Sequence, residues 1–219
     1  MKRLHLAIFC SLVFLCMTKT AEAQVNMQLL SPPSPFTDHG IYVGPYAIAV
    51  NGAATTLVCD DFATETTSTP WTATVSTFAD LSKTEFIGQS NSLHKYEAAA
   101  WLVQQMYALN PKGADYADQV VDIHYAIWAI FTPGATMSSP GFSGDTGNDA
   151  NTWYTTAMGT NTYSSGEFAN ILIYTPKTGT AQEFMGQTPE PASIALFGTG
   201  LLAVAGFIRR RSSGSPKSA

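Results

Sequence analysis

Between residues 41 and 62 the apolar positions fall on alternate residues. Tyr42, Tyr46, Ile48 and Val50 precede Asn51-Gly52, and Leu57, Val58 and Phe62 follow it. A period of two broken by Asn-Gly predicts a β-hairpin, because that dipeptide accepts the positive φ angles of a tight turn. Residues 71–78 (Trp-Thr-Ala-Thr-Val-Ser-Thr-Phe) continue the same chemistry and predict a further strand. After Asn91-Ser92 the spacing changes: Leu93, Tyr96, Ala99, Ala100, Val103, Met106 and Tyr107 recur at three and four residues, a helix that stops at Asn110-Pro111. A second helix is predicted over about 114–131. Its apolar face carries Ala117, Val120, Val121, His124, Ile127, Trp128 and Phe131, and its expected wet face carries Asp115, Asp118, Asp122 and Tyr125.

Residues 132–149 are rich in Pro, Gly, Ser and Asp and predict a long exposed loop, followed by a short helix over about 149–158. Strand character returns at residues 168–175, with residues 182–185 expected to pair with it. The order strands, helices, strands predicts an α+β domain, a small antiparallel sheet or sandwich with an inserted pair of helices. No internal repeat or heptad pattern is visible, which argues against a solenoid or a coiled coil.

The two ends follow other rules. Lys2 and Arg3, an apolar run over 6–17 and the triplet Ala21-Glu22-Ala23 predict a signal peptide over 1–23, cleaved after Ala23. A lipoprotein alternative at Cys16 meets bulky Phe14-Leu15 where small side chains are needed. Residues 192–208 carry no charge and would measure about 26 Å as a helix, enough to span a bilayer core. Arg209, Arg210 and Arg211 follow at once, and a basic cluster stays on the cytoplasmic side, leaving the preceding domain outside. The expected organisation is a signal peptide (1–23), a passenger domain (24–188), a tail segment (189–213) and a polar end (214–219).

Charge narrows the partners. Residues 24–188 hold four lysines, no arginine and fourteen Asp and Glu, a formal charge of −10. Nucleic acid is excluded, since its binding rests on Lys and Arg; cations, basic polymers and neutral glycans, including extracellular polysaccharide, fit better. With Cys10 and Cys16 in the signal peptide, Cys59 is the one thiol of the passenger and reads either as a small buried hydrophobe or as a nucleophile. Asp60-Asp61 and the loop residues Asp145, Asn148 and Asp149 offer oxygen donors of the kind calcium accepts, without EF-hand spacing, and read equally as turn residues. His39 and His94 lie in unlike segments and suggest no zinc site, while Trp71 and Trp153 could stack on sugars or fill the core. No phosphate loop, Gly-x-Ser-x-Gly elbow or His-Glu-x-x-His run appears, so no cofactor is expected and an enzyme is the less favoured class.

Thr188-Pro189-Glu190-Pro191-Ala192-Ser193, the following span with Gly198, Gly200 and Gly206, and the arginines at 209–211 together resemble the PEP-CTERM sorting signal. The resemblance implies export through the secretion translocon and a transient inner-membrane anchor. It further implies recognition near Pro189-Glu190-Pro191 by an exosortase-type transpeptidase, and delivery to the cell surface or extracellular matrix of a bacterium that makes exopolysaccharide. Within the passenger, Val58-Cys59-Asp60-Asp61-Phe62, Tyr96-Glu97-Ala98-Ala99-Ala100-Trp101-Leu102, Ala126-Ile127-Trp128, Tyr174-Thr175-Pro176 and Gln182-Glu183-Phe184 distantly resemble thioester domains. In those domains a cysteine condenses with a glutamine of a Thr-Gln-x-Ala-Ile/Val-Trp helix. The matching run here puts His124 at the glutamine position, and imidazole has no carbonyl to form a thioester. Gln119 would lie about 140° around the helix from His124. A Cys59–His124 pair could support acyl transfer if the fold joined them. The expected function is a structural or adhesive surface protein, the alternative a covalent binder or enzyme that uses Cys59.

Overall fold

The structure is a computed structural model and describes residues 23–187 apart from 66, 144–148, 161, 165 and 180. The signal peptide at 1–23 (but for Ala23), Asp145, the Pro189-Glu190-Pro191 motif, the span at 192–208, Arg209, Arg210, Arg211 and the polar end at 214–219 lie outside the described residues. Among the described residues no helix is long and apolar enough to cross a membrane.

Six strands close into an antiparallel barrel in the order β1 (Gln24–Leu29), β4 (Pro45–Val50), β5 (Ala53–Cys59), β8 (Phe184–Gln187), β7 (Ile171–Pro176), β6 (Trp71–Ser76). A separate ribbon pairs β2 (Phe36–Asp38) with β3 (Ile41–Val43). Between β6 and β7 the described residues form five helical segments: α1 (Ser92–Ala108), α2 (Tyr116–Phe131), α3 (Pro133–Thr136), α4 (Pro140–Ser143) and α5 (Ala150–Gly159).

The expected Asn-Gly hairpin joins β4 to β5, with φ of 51° at Asn51 and 83° at Gly52, and Val50 opposite Ala53. Its backbone twist matches that of the flanking strands, which is why this turn sets the register. The sheet is neither open nor a sandwich. β1, which the sequence reading omitted, pairs on one side with β4 (Met27 opposite Val50) and on the other with β6 (Met27 opposite Trp71), so the edges meet. The 182–185 run lies partly in β8, which sits next to β7 but also pairs with β5, setting Cys59 opposite Phe184.

α2 departs from the expected one-sided helix. Asp122 and Tyr125 are buried, although the helical pattern assigned them to solvent. The cause is packing on several sides: α1 and α5 cover one flank, β2, β3 and β5 another, and α3 and α4 a third. Accordingly Ile123 and Ile127 belong to a core shared with α1, while Tyr125, Trp128 and Ala129 belong to the barrel core with Met27, Tyr46, Ile48 and Phe184. A helix that is apolar almost all round is one enclosed by protein, and each large side chain so buried contributes about 1.5–3 kcal/mol. The expected loop at 132–149 also differs, since α3 and α4 fold back onto α2 and bury Thr136 and Phe142.

Candidate functional site

β5 runs inward as Leu57-Val58-Cys59, all buried, and continues into Asp60 and Asp61 without surfacing. The Asp60 amide reaches the carbonyl of Glu183 at 3.3 Å, which carries the β5–β8 pairing past the ladder and sets two acids side by side in the interior. Glu183 is fully enclosed. It accepts hydrogen bonds from the Tyr96 hydroxyl at 2.6 Å, from the Glu85 backbone amide at 2.8 Å and from the Thr175 hydroxyl. Asp60, by contrast, meets no donor at either carboxyl oxygen. Burial, then the charge of Glu183 against it, pushes the Asp60 carboxyl well above the usual carboxylate range. Burial lifts Glu183 as well, but the hydroxyls of Thr175 and Tyr96 and the Glu85 amide favour its anion. Of the two acids, Asp60 is therefore the one that favours its proton, while the donors gathered on Glu183 favour its anion.

Cys59 is wholly buried, and its thiol donates to the carbonyl of Asp61 at 3.2 Å. Burial, then the nearby Asp60, pushes the thiol up, against the opposing effects of the Trp128 side chain and the Asp61 backbone. The structure does bring His124 to Cys59, but to its backbone. His124 Nε2 donates to the Cys59 carbonyl at 2.8 Å, and Nδ1 accepts the Gly44 amide at 2.7 Å. Both ring nitrogens are engaged, which fixes the tautomer, and burial lowers the imidazole to about 3. In this arrangement the ring braces β5 against the Gly44 turn, and its one acceptor nitrogen is taken by the Gly44 amide.

The remaining candidates separate. Asp61 Oδ1 accepts the amides of Ala63 and Thr64 at 2.9 and 3.2 Å, a local turn. Asp149 precedes α5 at the surface. Among the described residues no three His, Cys, Asp or Glu gather where a metal ion could be held. His39 pairs with Asp38 at 2.8 Å, and His94 lies by the carbonyl of Met158 at 3.2 Å. Trp71 is buried and stacks near Phe184, and half-buried Trp153 packs on Trp101. Glu183 was missed as a site residue; an acid set between Gln182 and Phe184 at the start of a strand was the one available signal.

Above Cys59's neighbours opens a cleft of about 540 Å³, lined by Tyr42, Tyr46, Phe62, Glu65, Trp128 and Gln182 among others. The Gln182 amide nitrogen donates to the Asp61 carbonyl at 2.8 Å, the same oxygen that accepts the Cys59 thiol.

At the last residue of β8 a recognisable signal begins. Residues 187–211 match the PEP-CTERM protein-sorting motif. That span contains Pro189, Glu190, Pro191, Arg209, Arg210 and Arg211, so the chain carries the sorting signal of exosortase-processed exported proteins. Among solved structures the chain is similar to the N-terminal thioester domain of a surface protein from Clostridium perfringens. That similarity has 11% identity and a TM-score of 0.45, over 76% of this chain and 99% of the other. It is also similar to the N-terminal domain of the Streptococcus pyogenes pilus tip adhesin Cpa, at 11% identity and a TM-score of 0.43, over 76% and 94%. No curated protein matches the chain.

Proposed function

We propose that this chain is a surface-displayed binding or structural protein, adhesive in role, that an exosortase-type transpeptidase sorts through the PEP-CTERM motif to the cell surface or extracellular matrix. The observation that carries the reading is the motif at 187–211. Residues 1–23 then serve as the signal peptide and residues 192–208 as the transient membrane span. The interior chemistry favours binding over catalysis, because His124 spends both nitrogens on backbone and Cys59 is sealed from solvent. The test replaces Pro189-Glu190-Pro191 with alanines and follows an epitope in the folded domain by cell fractionation and external protease digestion. Wild type should reach the surface or medium and the variant should be retained in the membrane fraction. Identical distributions would remove the proposal.

A second reading is favoured by one contact. The Cys59 thiol and the Gln182 amide converge on the Asp61 carbonyl, so sulfur and side-chain amide are neighbours although the helix position holds His124. Attack of the sulfur on the Gln182 amide carbon, with the thiol proton passing to the departing nitrogen, would release ammonia and leave a thioester that an amine could open. Intact mass decides it: a loss of one ammonia mapped to a Cys59–Gln182 link supports covalent capture, and a full mass with a titratable thiol ends it.

A further inference from the structure

We infer that the cleft beside the β2–β3 ribbon binds an uncharged sugar residue of a hydroxyl-rich polymer. The inference deepens the surface-display reading, on which it rests for the source of that polymer; the chemistry of the site stands on the cleft itself. Its size, about 540 Å³, suits one or two sugar rings and lies within the range of ordinary ligand pockets. Tyr42 and Phe62 give it open aromatic surface over a floor that includes buried Tyr46 and Trp128, and Glu65, Ser68 and Gln182 add carboxylate, hydroxyl and amide groups. A pyranose presents the same pairing, a C–H face and a rim of hydroxyls.

Three further observations narrow the ligand. Ile41 and Tyr42 are 36% and 42% exposed, two of the four large apolar side chains left open to solvent among the described residues, and both line this cleft. Exposed apolar surface gathered in one polar-rimmed depression marks a binding site more than scattered exposure does. No lysine lines the cleft and Glu65 is exposed within it, in a domain with a formal charge of −10, so phosphate- or carboxylate-bearing ligands are repelled. A cation held by aromatic faces is disfavoured for another reason. Phe62 and His124 lie with ring centroids 5.0 and 3.9 Å from Trp128, so the indole is screened by neighbours and has little face to offer. The site is also preformed. The Tyr46 hydroxyl donates to the Tyr42 carbonyl at 2.6 Å, and the ribbon turns through His39 and Gly40 at φ of 48° and 81°. Preformed walls reduce the ordering cost of binding.

The experiment titrates the full-length protein with neutral oligosaccharides (dextran and cello-oligosaccharides), with alginate oligomers as the anionic probe and a choline ester as the cationic one. Binding is read by calorimetry and tryptophan fluorescence. At least one neutral saccharide should bind saturably. Tyr42→Ala, which leaves the carbonyl that Tyr46 uses, should weaken it by about three- to tenfold. Glu65→Gln should weaken it without admitting alginate, and Leu93→Ala, exposed in a different cleft, should leave it unchanged. Absence of binding to every neutral probe, stronger binding of alginate or choline, or an unchanged affinity in Tyr42→Ala would each overturn the inference. Surface location of the same protein, measured in parallel, separates the two ideas: a correctly sorted protein that binds no neutral sugar fails here alone.

Discussion

The buried Asp60–Glu183 pair predicts a specific pH signature, exposed by Asp60→Asn. In the folded chain Asp60 holds its proton well above the usual carboxylate range, because burial and the Glu183 charge oppose ionisation. In the unfolded chain it ionises near pH 4. The stability this group contributes is therefore full below about pH 4 and is lost as the pH climbs toward the raised value. One extra proton on the folded state corresponds to about 1.4 kcal/mol per pH unit, or about 2.7 kcal/mol across two units inside that window. His124 acts with the opposite sign: held near 3, it stays neutral when folded but protonates when unfolded, so its contribution is lost as pH falls below about 6.5. The wild-type curve alone thus mixes two slopes. The difference between wild type and Asp60→Asn removes the His124 part, since both share it. Asparagine keeps the shape but cannot ionise. Urea unfolding at half-unit steps from pH 4.5 to 8, with equal m values as the check on the folded and unfolded states, should show the variant gaining on wild type as pH rises. Parallel curves would refute the raised titration of Asp60, whatever their vertical offset.

Further outcomes are as specific. His124→Ala removes the partner of the Gly44 amide and the Cys59 carbonyl and opens a cavity, and should cost about 3–5 kcal/mol in chemical denaturation; a loss under 1 kcal/mol would contradict the bracing role. Gly44→Ala places a side chain at φ +79°, with its Cβ 2.5 Å from Val120 Cγ1, and should cost about 2–4 kcal/mol, seen as a lowered Tm. Cys59 should resist iodoacetamide in the native protein and react fully in urea, because its thiol is enclosed and pushed toward the protonated form; rapid native labelling, followed by mass spectrometry, would count against the burial.

Local chemistry made parts of this fold readable. The Asn51-Gly52 hairpin, the helix from Ser92, and the short helix after Asp149 each announce themselves by turn chemistry or by a period that needs only neighbouring residues. Closure of the barrel does not, because Met27 opposite Trp71 and Cys59 opposite Phe184 are pairings between distant segments. The same limit hid the interior acid pair. Asp60 read as a turn residue or an oxygen donor and Glu183 stood unremarked as a site residue within the expected strand at 182–185, and only the long-range β5–β8 contact makes them neighbours. Asp122 and Tyr125 misled for the converse reason: a helical wheel assigns polar groups to water, and it has no knowledge of the neighbours that enclose α2 on several sides.

Strand order also sets a timetable. Among the described residues β1, β4, β5 and β6 precede every helix, while β7 and β8 follow the last of them, so the barrel wall stays unfinished between β5 and β6 until the final stretch of the domain is available. Until then the backbone edge of β5 lacks its second partner, and Cys59 and Asp60 sit at the open seam. Pairings that wait on distant sequence form slowly, so a chain threaded across a membrane from its N-terminus would complete its fold only once β8 has passed. The strand that hands over to the sorting motif is then also the one whose arrival reports that the domain is whole.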